Sequence, residues 1–350
     1  MREAEKRLCC TQNHEYPSLI GIPEFCDAGA KFCWGDKLYN EYKDVMANAQ
    51  AVSGSGSLRL IAQFLKNCNI TGEVRFPNPT WTNQHTIFRN AGLQTSNYTY
   101  INSDAPTLNF KGMMDDINSA PDHSAFVFHA CAHNPTGVVY SRKAVTSLCR
   151  LLENKSEQYG HPIWLIADEP YRFLTYDGVE VPSVLPLYQY AVVISSFSKN
   201  LSLPGERVGY VAVSPKLADR AKLMAGLTLT NRILGFVNPP VVGQHIMAAA
   251  LGSQVDGEIY ARRRQAMAEV LTDAGYSFQM PAGAFYFFPQ APGGDDVAFV
   301  NRLVEERVLA VPGSGFGCPG YFRLAFCVDE TVIRNAAEGF ARAYAAVAGK

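Results

Sequence analysis

Three short stretches hold most of the side chains that could do chemistry, and each follows an apolar run. After Ala125-Phe126-Val127-Phe128 comes His129-Ala130-Cys131-Ala132-His133-Asn134-Pro135-Thr136-Gly137, which presents an amide in a turn. After Ile163-Trp164-Leu165-Ile166-Ala167 comes Asp168-Glu169-Pro170-Tyr171, with a carboxylate at the end of the run. After Ala191-Val192-Val193-Ile194 comes Ser195-Ser196-Phe197-Ser198-Lys199, and Arg207 lies eight residues beyond the lysine. A fourth stretch, Ser53-Gly54-Ser55-Gly56-Ser57, precedes the helical run Leu58 to Leu65. Its glycines, hydroxyls and the N–H groups of a helix start suit an anionic oxygen such as a phosphate. Each residue also has an ordinary use: Lys199 as a surface cation, Asp168 as a helix cap, Asn134 as a turn former, Trp81 as a core aromatic, the Gly/Ser run as a plain turn. Those uses do not explain why the polar groups fall at the same end of successive apolar runs.

The elements that must position them follow from the pattern. The apolar runs, with Val208-Gly209-Tyr210-Val211-Ala212-Val213, are short and bounded by polar or turn residues, as buried strands are. Between the first two, Ser141 to Gln158 carries Val145, Leu148, Leu151 and Leu152 at helical spacing, which makes a β-α-β unit. The expected fold class is α/β, a mostly parallel central sheet with helices on both faces. In such sheets ligands bind beyond the carboxyl ends of the strands, where the first three stretches lie. From Asp256 the pattern changes to a charged helix, Glu258 to Ala274, with Arg262-Arg263-Arg264 expected on a solvated or interfacial face. Strand candidates at 284–288 and 321–326 and a final helix from Glu330 to Val347 complete a smaller C-terminal α/β domain. The expected division is 11–257 for the large domain and 258–350 for the small one, with 1–10 a short N-terminal segment.

Composition narrows the function. Lys+Arg 31 against Asp+Glu 32 leaves a net charge of -1, so nucleic acid and anionic membrane surfaces are not expected partners. No apolar run approaches the ~18 residues of a spanning helix. Nine cysteines, an odd number with no C-x-x-C pair and no zinc-finger spacing, fit reduced thiols in a cytoplasmic setting and give no structural metal site. The charged start, Met1 to Arg7, has no apolar stretch behind it and is not a secretory signal.

A phosphate cup, an acid, an amide, an aromatic plate and a lysine together meet the needs of pyridoxal 5'-phosphate. A lysine forms the Schiff base, and a carboxylate keeps the pyridine nitrogen protonated so that the ring draws electrons. A serine hydrolase using Ser196 and Lys199 at S-x-x-K spacing is the rival chemistry, but its companion S-D-N and K-T-G motifs are absent.

The words Asn13-His14-Glu15-Tyr16, Ser53-Gly54-Ser55-Gly56, Pro79-Thr80-Trp81, His129 to Gly137, Asp168-Glu169-Pro170-Tyr171, Ser196-Phe197-Ser198-Lys199 and Gly205-Glu206-Arg207-Val208-Gly209 resemble the class I aminotransferases of the aspartate aminotransferase superfamily. The resemblance covers nearly the whole chain. It implies that Lys199 is the Schiff-base lysine and proton carrier and that Asp168 pairs with the pyridine nitrogen. Asn134 and Tyr171 would hydrogen-bond the cofactor's phenolic oxygen, and Trp81 would stack on its ring. Ser53, Gly54, Ser55, Ser196 and Arg207 would hold the phosphate. Tyr16 would reach the phosphate of a neighbouring subunit, making a homodimer with composite sites. Arg323 would clamp the substrate α-carboxylate, with Asn134 and Trp81 beside it.

The implied reaction moves an amino group from an L-amino acid to 2-oxoglutarate through an internal aldimine on Lys199. Aspartate is the leading donor; an aromatic or neutral donor, a carbon-sulfur β-lyase and an inactive paralogue are the alternatives. Three departures bear on the choice. Family members carry a longer N-terminal segment. Ile233 stands five residues before Asn238-Pro239-Pro240, where the aspartate branch has an arginine for the distal carboxylate, and Arg232 is its neighbour. Gln84 stands where that branch has a histidine supporting the aspartate, and His85 is one place off. Up to about Gly137 the chain resembles the eukaryotic and enteric aspartate branch, and from Val138 to about Ser253 another bacterial branch, as in a mosaic.

Overall fold

The computed structural model describes Glu3, Lys6 and residues 13–102 and 105–348; the rest of the expected 1–10 segment lies outside the described residues. Seven strands form the main sheet: β1 (Ala47–Val52), β2 (Glu73–Asn78), β3 (Gln94–Thr99), β4 (Ser124–Phe128), β5 (Leu165–Asp168), β6 (Ala191–Ser196) and β7 (Val208–Val213). Their order across the sheet is β1-β7-β6-β5-β4-β2-β3. Strands β2 to β6 run parallel, while β7 is antiparallel to both neighbours, β1 and β6. A second sheet of three strands, β8 (Tyr286–Phe287), β9 (Val311–Pro312) and β10 (Phe322–Ala325), has the order β8-β10-β9.

The helices are α1 (Pro23–Tyr42), α2 (Ser53–Asn67), α3 (Asn83–Arg89), α4 (Phe110–Asn118), α5 (Arg142–Tyr159), α6 (Phe197–Asn200), α7 (Arg220–Ile233) and α8 (Val241–Ala249). There follow α9 (Gly257–Asp273), α10 (Asp296–Glu305), α11 (Glu330–Asn335) and α12 (Ala337–Ala348). The expected β-α-β unit is β4-α5-β5. Ser141 caps α5 by accepting the Ala144 N–H at 3.2 Å, Val145, Leu148 and Leu152 share its buried face, and Gly160 ends it in the left-handed region at φ 71°.

All residues of β4, β5, β6 and β7 are buried, because hydrophobic clusters lie on both faces of the sheet. One face packs Phe126, Phe128, Leu165 and Val193 with Leu148 and Leu152 of α5; the other packs Val127, Ile166 and Ile194 with Leu58, Ile61 and Leu65 of α2. Each such side chain contributes about 1.5–3 kcal/mol by leaving water. A third cluster holds Phe287, Phe322, Phe299 and Phe340 together with Tyr171 and Tyr176, so the second sheet packs against the segment that follows β5.

Three sequence expectations need correction. The Gly/Ser stretch is not a loop before a helix: α2 begins at Ser53 itself. The Arg262-Arg263-Arg264 run is not all on one solvated face, since Arg264 is buried, pairs with Asp177 at 2.8 Å and lies 4.7 Å from the Tyr176 ring. The final helix is two, α11 and α12, separated at Ala336. Among the described residues no helix is long and apolar enough to cross a membrane, and Cys26, Cys33, Cys68, Cys131, Cys149, Cys318 and Cys327 are free thiols.

Candidate active site

A cavity of about 360 Å³ opens at the carboxyl ends of β4, β5 and β6. Every residue given a catalytic, cofactor or substrate role by the resemblance lines it except Tyr16, which is 92% exposed. The topology accounts for the convergence. Asp168 and Ser196 end two adjacent parallel strands, and Asn134 sits in the turn after β4. Because β7 runs the other way, its first residues meet the last residues of β1 and β6, pairing Val52 with Val208 and Ser196 with Gly209. Arg207 and the start of α2 therefore lie at the same edge.

That edge forms a cup for an anion. The first turn of α2, Ser53 to Ser55, lines the cavity, and the N–H groups of a first turn have no partner inside the helix. The Ser53 and Ser198 hydroxyls are 3.2 Å apart, and Arg207 Nη2 donates to Ser55 Oγ at 3.2 Å while Nη1 donates to the Pro204 carbonyl at 2.9 Å. Both Ser53 and Arg207 hold left-handed φ values, 62° and 53°, at a backbone cost of about 1–2 kcal/mol each. Gly209 allows the approach: a Cβ there would lie 2.7 Å from the Ser195 carbonyl oxygen and 2.7 Å from the Ser53 carbonyl carbon.

Opposite the cup, Asp168 ends in a buried polar relay. It caps no helix, because a turn follows β5. Gln84 Nε2 donates to Asp168 Oδ2 at 2.7 Å. Gln84 Oε1 accepts the Thr80 hydroxyl at 3.0 Å and faces His129 Nε2 at 3.1 Å. The Asn134 N–H donates to His129 Nδ1 at 3.3 Å, so the ring proton sits on Nε2 and donates to Gln84. Two donors on Oε1 fix the amide so that its NH₂ faces the carboxylate. Burial pushes the Asp168 carboxyl up to about 7, with the Gln84 bond acting against the shift and the Glu169 charge adding to it. Burial also pushes His129 down to about 4 and keeps it neutral.

The third wall is aromatic and cationic. Arg323 on β10 donates through Nη1 to Asn134 Oδ1 at 2.9 Å and stacks 4.3 Å above the Tyr286 ring and 4.6 Å from that of Phe316. Its buried Nε has no hydrogen-bond partner among the described residues. The Tyr171 and Tyr286 hydroxyls are 2.8 Å apart, and Trp81 completes the wall. Lys199 Nζ stands 5.4 Å from the Phe285 ring; burial lowers its pKa, and the Arg323 charge lowers it further. Beneath the floor Arg172 Nε meets Glu169 Oε2 at 2.5 Å and its Nη atoms reach the Val181 and Pro182 carbonyls.

The departures noted in the sequence resolve as follows. Gln84 itself supports Asp168, whereas His85 turns away and packs against Phe76, ring centroids 4.4 Å apart. Neither Ile233 nor Arg232 lines the cavity; Ile233 is 60% exposed and Arg232 lies along a separate groove with Leu19, Ile20 and Met224. Sequence reasoning gave no role to Thr80, His129, Ser198 or Tyr286. Ser198 could have been found from its place beside Lys199; Tyr286, inside an aromatic run, carries no such signal.

The sequence profile of the family described as aminotransferase class I and II matches residues 1–340. The mitochondrial aspartate aminotransferase of Schizosaccharomyces pombe is 32% identical over 275 residues, 74% of this chain and 60% of that one. The cytoplasmic isozyme 2 of aspartate aminotransferase from Arabidopsis thaliana is 32% identical over 256 residues, 72% of this chain and 62% of that one. The chain thus spans about 60% of the length of the curated relatives it matches. Among solved structures, an amino transferase from Eubacterium rectale superposes with a TM-score of 0.88 at 32% identity, covering 99% of this chain and 86% of that one. With its site at the carboxyl edge of a mostly parallel sheet and the family profile matched along nearly its whole length, the chain belongs to the class I and II aminotransferases.

Proposed function

We propose that the chain is a pyridoxal-phosphate aminotransferase that moves an amino group from an L-amino acid, aspartate first, to 2-oxoglutarate. The observation that carries this is the convergence on one cavity of a half-buried lysine, a buried carboxylate, an anion cup and an arginine with an unpartnered Nε. The donor set fits the cofactor at both ends: hydroxyls, helix N–H groups and Arg207 for a phosphate, and a carboxylate whose high pKa is relieved by a cationic N–H for the pyridine nitrogen.

When bound, pyridoxal phosphate supplies an aldehyde carbon and an electron-withdrawing ring. Lys199, whose charge burial disfavours, would hold the group through that carbon, and its Nζ would carry the Cα proton of the amino acid. Asp168, fixed by Gln84, would hold the ring-nitrogen proton. Asn134 and Tyr171 would hydrogen-bond the phenolic oxygen, Trp81 would cover the ring, and Ser53, Gly54, Ser55, Ser196 and Arg207 would hold the phosphate. Arg323 pairs with the α-carboxylate through its planar fork. On this reading residues 11–257 form the cofactor domain and 258–350 the small domain. The assembly is a homodimer in which Tyr16, absent from its own cavity, serves the partner's site, and the compartment is the cytoplasm.

A second donor class has an observation in its favour. The cations lining the cavity are Lys199, Arg207 and Arg323, all assigned above, and the wall also includes Trp81, Tyr171, Tyr286 and Leu58. That lining also suits a neutral or aromatic side chain. The test is the absorbance of the cofactor-loaded protein before and after L-aspartate, L-alanine and L-phenylalanine. A yellow band that bleaches with aspartate supports the first reading, bleaching with the neutral donors alone moves the substrate class, and full activity in Lys199→Ala would overturn both.

A further inference from the structure

The opposite edge of the main sheet carries a second constellation, formed by the loops that enter β4 and β5. Asp122, His123 and His161 place one ligand atom each within 4.8 Å of one another. The His123 and His161 rings stack in parallel, centroids 4.2 Å apart and planes within 2°, and Tyr159 stacks on His161 at 5.9 Å and 13°. His161 Nδ1 donates to the Pro162 carbonyl at 3.2 Å and Nε2 donates to Asp122 Oδ1, so the far nitrogen is held by a backbone carbonyl and a bound ion would take the place of the proton on Nε2. A backbone carbonyl holding the far nitrogen is the usual support of a metal-bound imidazole. The carboxylate is oriented too, since the His123 N–H donates to Asp122 Oδ1 at 2.7 Å. The loop is tied to the entry of β2, because the His123 carbonyl accepts the Thr71 hydroxyl and the Gly72 N–H.

We propose that Asp122, His123 and His161 form a surface site for a divalent transition cation of the zinc class, with Ni²⁺ and Cu²⁺ as competitors. Two imidazoles and one carboxylate suit these ions, whereas Mg²⁺ and Ca²⁺ want oxygen alone. The half-exposed Asp122 side chain can swing from its contact with Nε2, and the exposed His123 ring must turn out of the parallel stack so that both imidazole lone pairs meet the ion. Bound there, the ion clips together the entries of two adjacent central strands, at the edge opposite the cavity.

The test is equilibrium dialysis of the cofactor-loaded protein against ZnCl₂, with MgCl₂ as control, on wild type, His161→Asn, His123→Asn and Asp122→Asn. Expected is one equivalent of zinc in wild type, an affinity at least about tenfold weaker in each variant, no uptake of magnesium, and unchanged transamination. Unchanged activity also shows that the variants fold. Zinc uptake that is the same in the three variants would overturn the proposal, as would uptake abolished by alkylating the thiols with iodoacetamide.

Discussion

Asp168 should make the cofactor-free chain less stable at neutral pH, and Asp168→Asn should recover the loss. The carboxyl titrates at about 7 in the folded chain against an ordinary 3.8, the main cause being burial. Below pH 4 both the folded and unfolded chains carry the proton and the group has no effect. Between about 4 and 7 the unfolded chain releases its proton while the folded chain keeps it, so unfolding becomes easier by about 1.4 kcal/mol per pH unit. Above 7 both are ionised and the accumulated loss is about 4 kcal/mol. Asparagine removes the titration yet keeps an oxygen for the Gln84 N–H. Urea unfolding of the cofactor-free wild type and variant at half-unit steps from pH 4 to 8 should therefore show a gap that widens in favour of the variant, then levels off. Loading wild type with pyridoxal phosphate should close that gap, because a cationic N–H beside the carboxylate removes the penalty. A difference flat to within about 1 kcal/mol over the range would refute the burial argument.

Other substitutions probe the remaining walls. Gln84→Leu removes the bond that holds Asp168 ionised and strands the Thr80 and His129 donors. It should raise the Asp168 pKa further and destabilise the chain by about 1–3 kcal/mol, read by the same pH-dependent unfolding. Arg323→Lys keeps the charge and loses the planar fork, so kcat/KM should fall about 10- to 100-fold for every donor in steady-state assays. Gly209→Ala drives a methyl group into the Ser195 and Ser53 backbone. A loss of about 1–3 kcal/mol in thermal unfolding is expected, with weaker cofactor binding in fluorescence titration.

Legibility from sequence followed burial. Strands β4 to β7 were readable because both their faces are covered and their residues are continuously apolar. Strands β1, β2 and β3, with the sequences ANAQAV, EVRFPN and QTSNYT, lie toward the sheet edges and mix polar residues, so neither a run nor a strict alternation marks them. The convergence of Lys199, Asp168, Asn134 and Arg207 on one cavity was readable because each lies at, or within six residues of, the end of such a strand. The Thr80-Gln84-His129 relay was not, since its members act on one another through hydrogen bonds between segments far apart in the chain. Arg264 misled for the same reason: its partner, Asp177, belongs to a different part of the sequence.

The antiparallel β7 has a consequence for the order in which the protein is made. The anion cup is split between the residues after β1 and those before β7, and the Val52–Val208 pairing is what unites them. A ribosome releases β1 long before β7, so the first half of the cup waits on the surface of an unfinished sheet. A nascent fragment that stops short of Val208 lacks that pairing and leaves the two halves of the cup apart until the last strand of the sheet is in place.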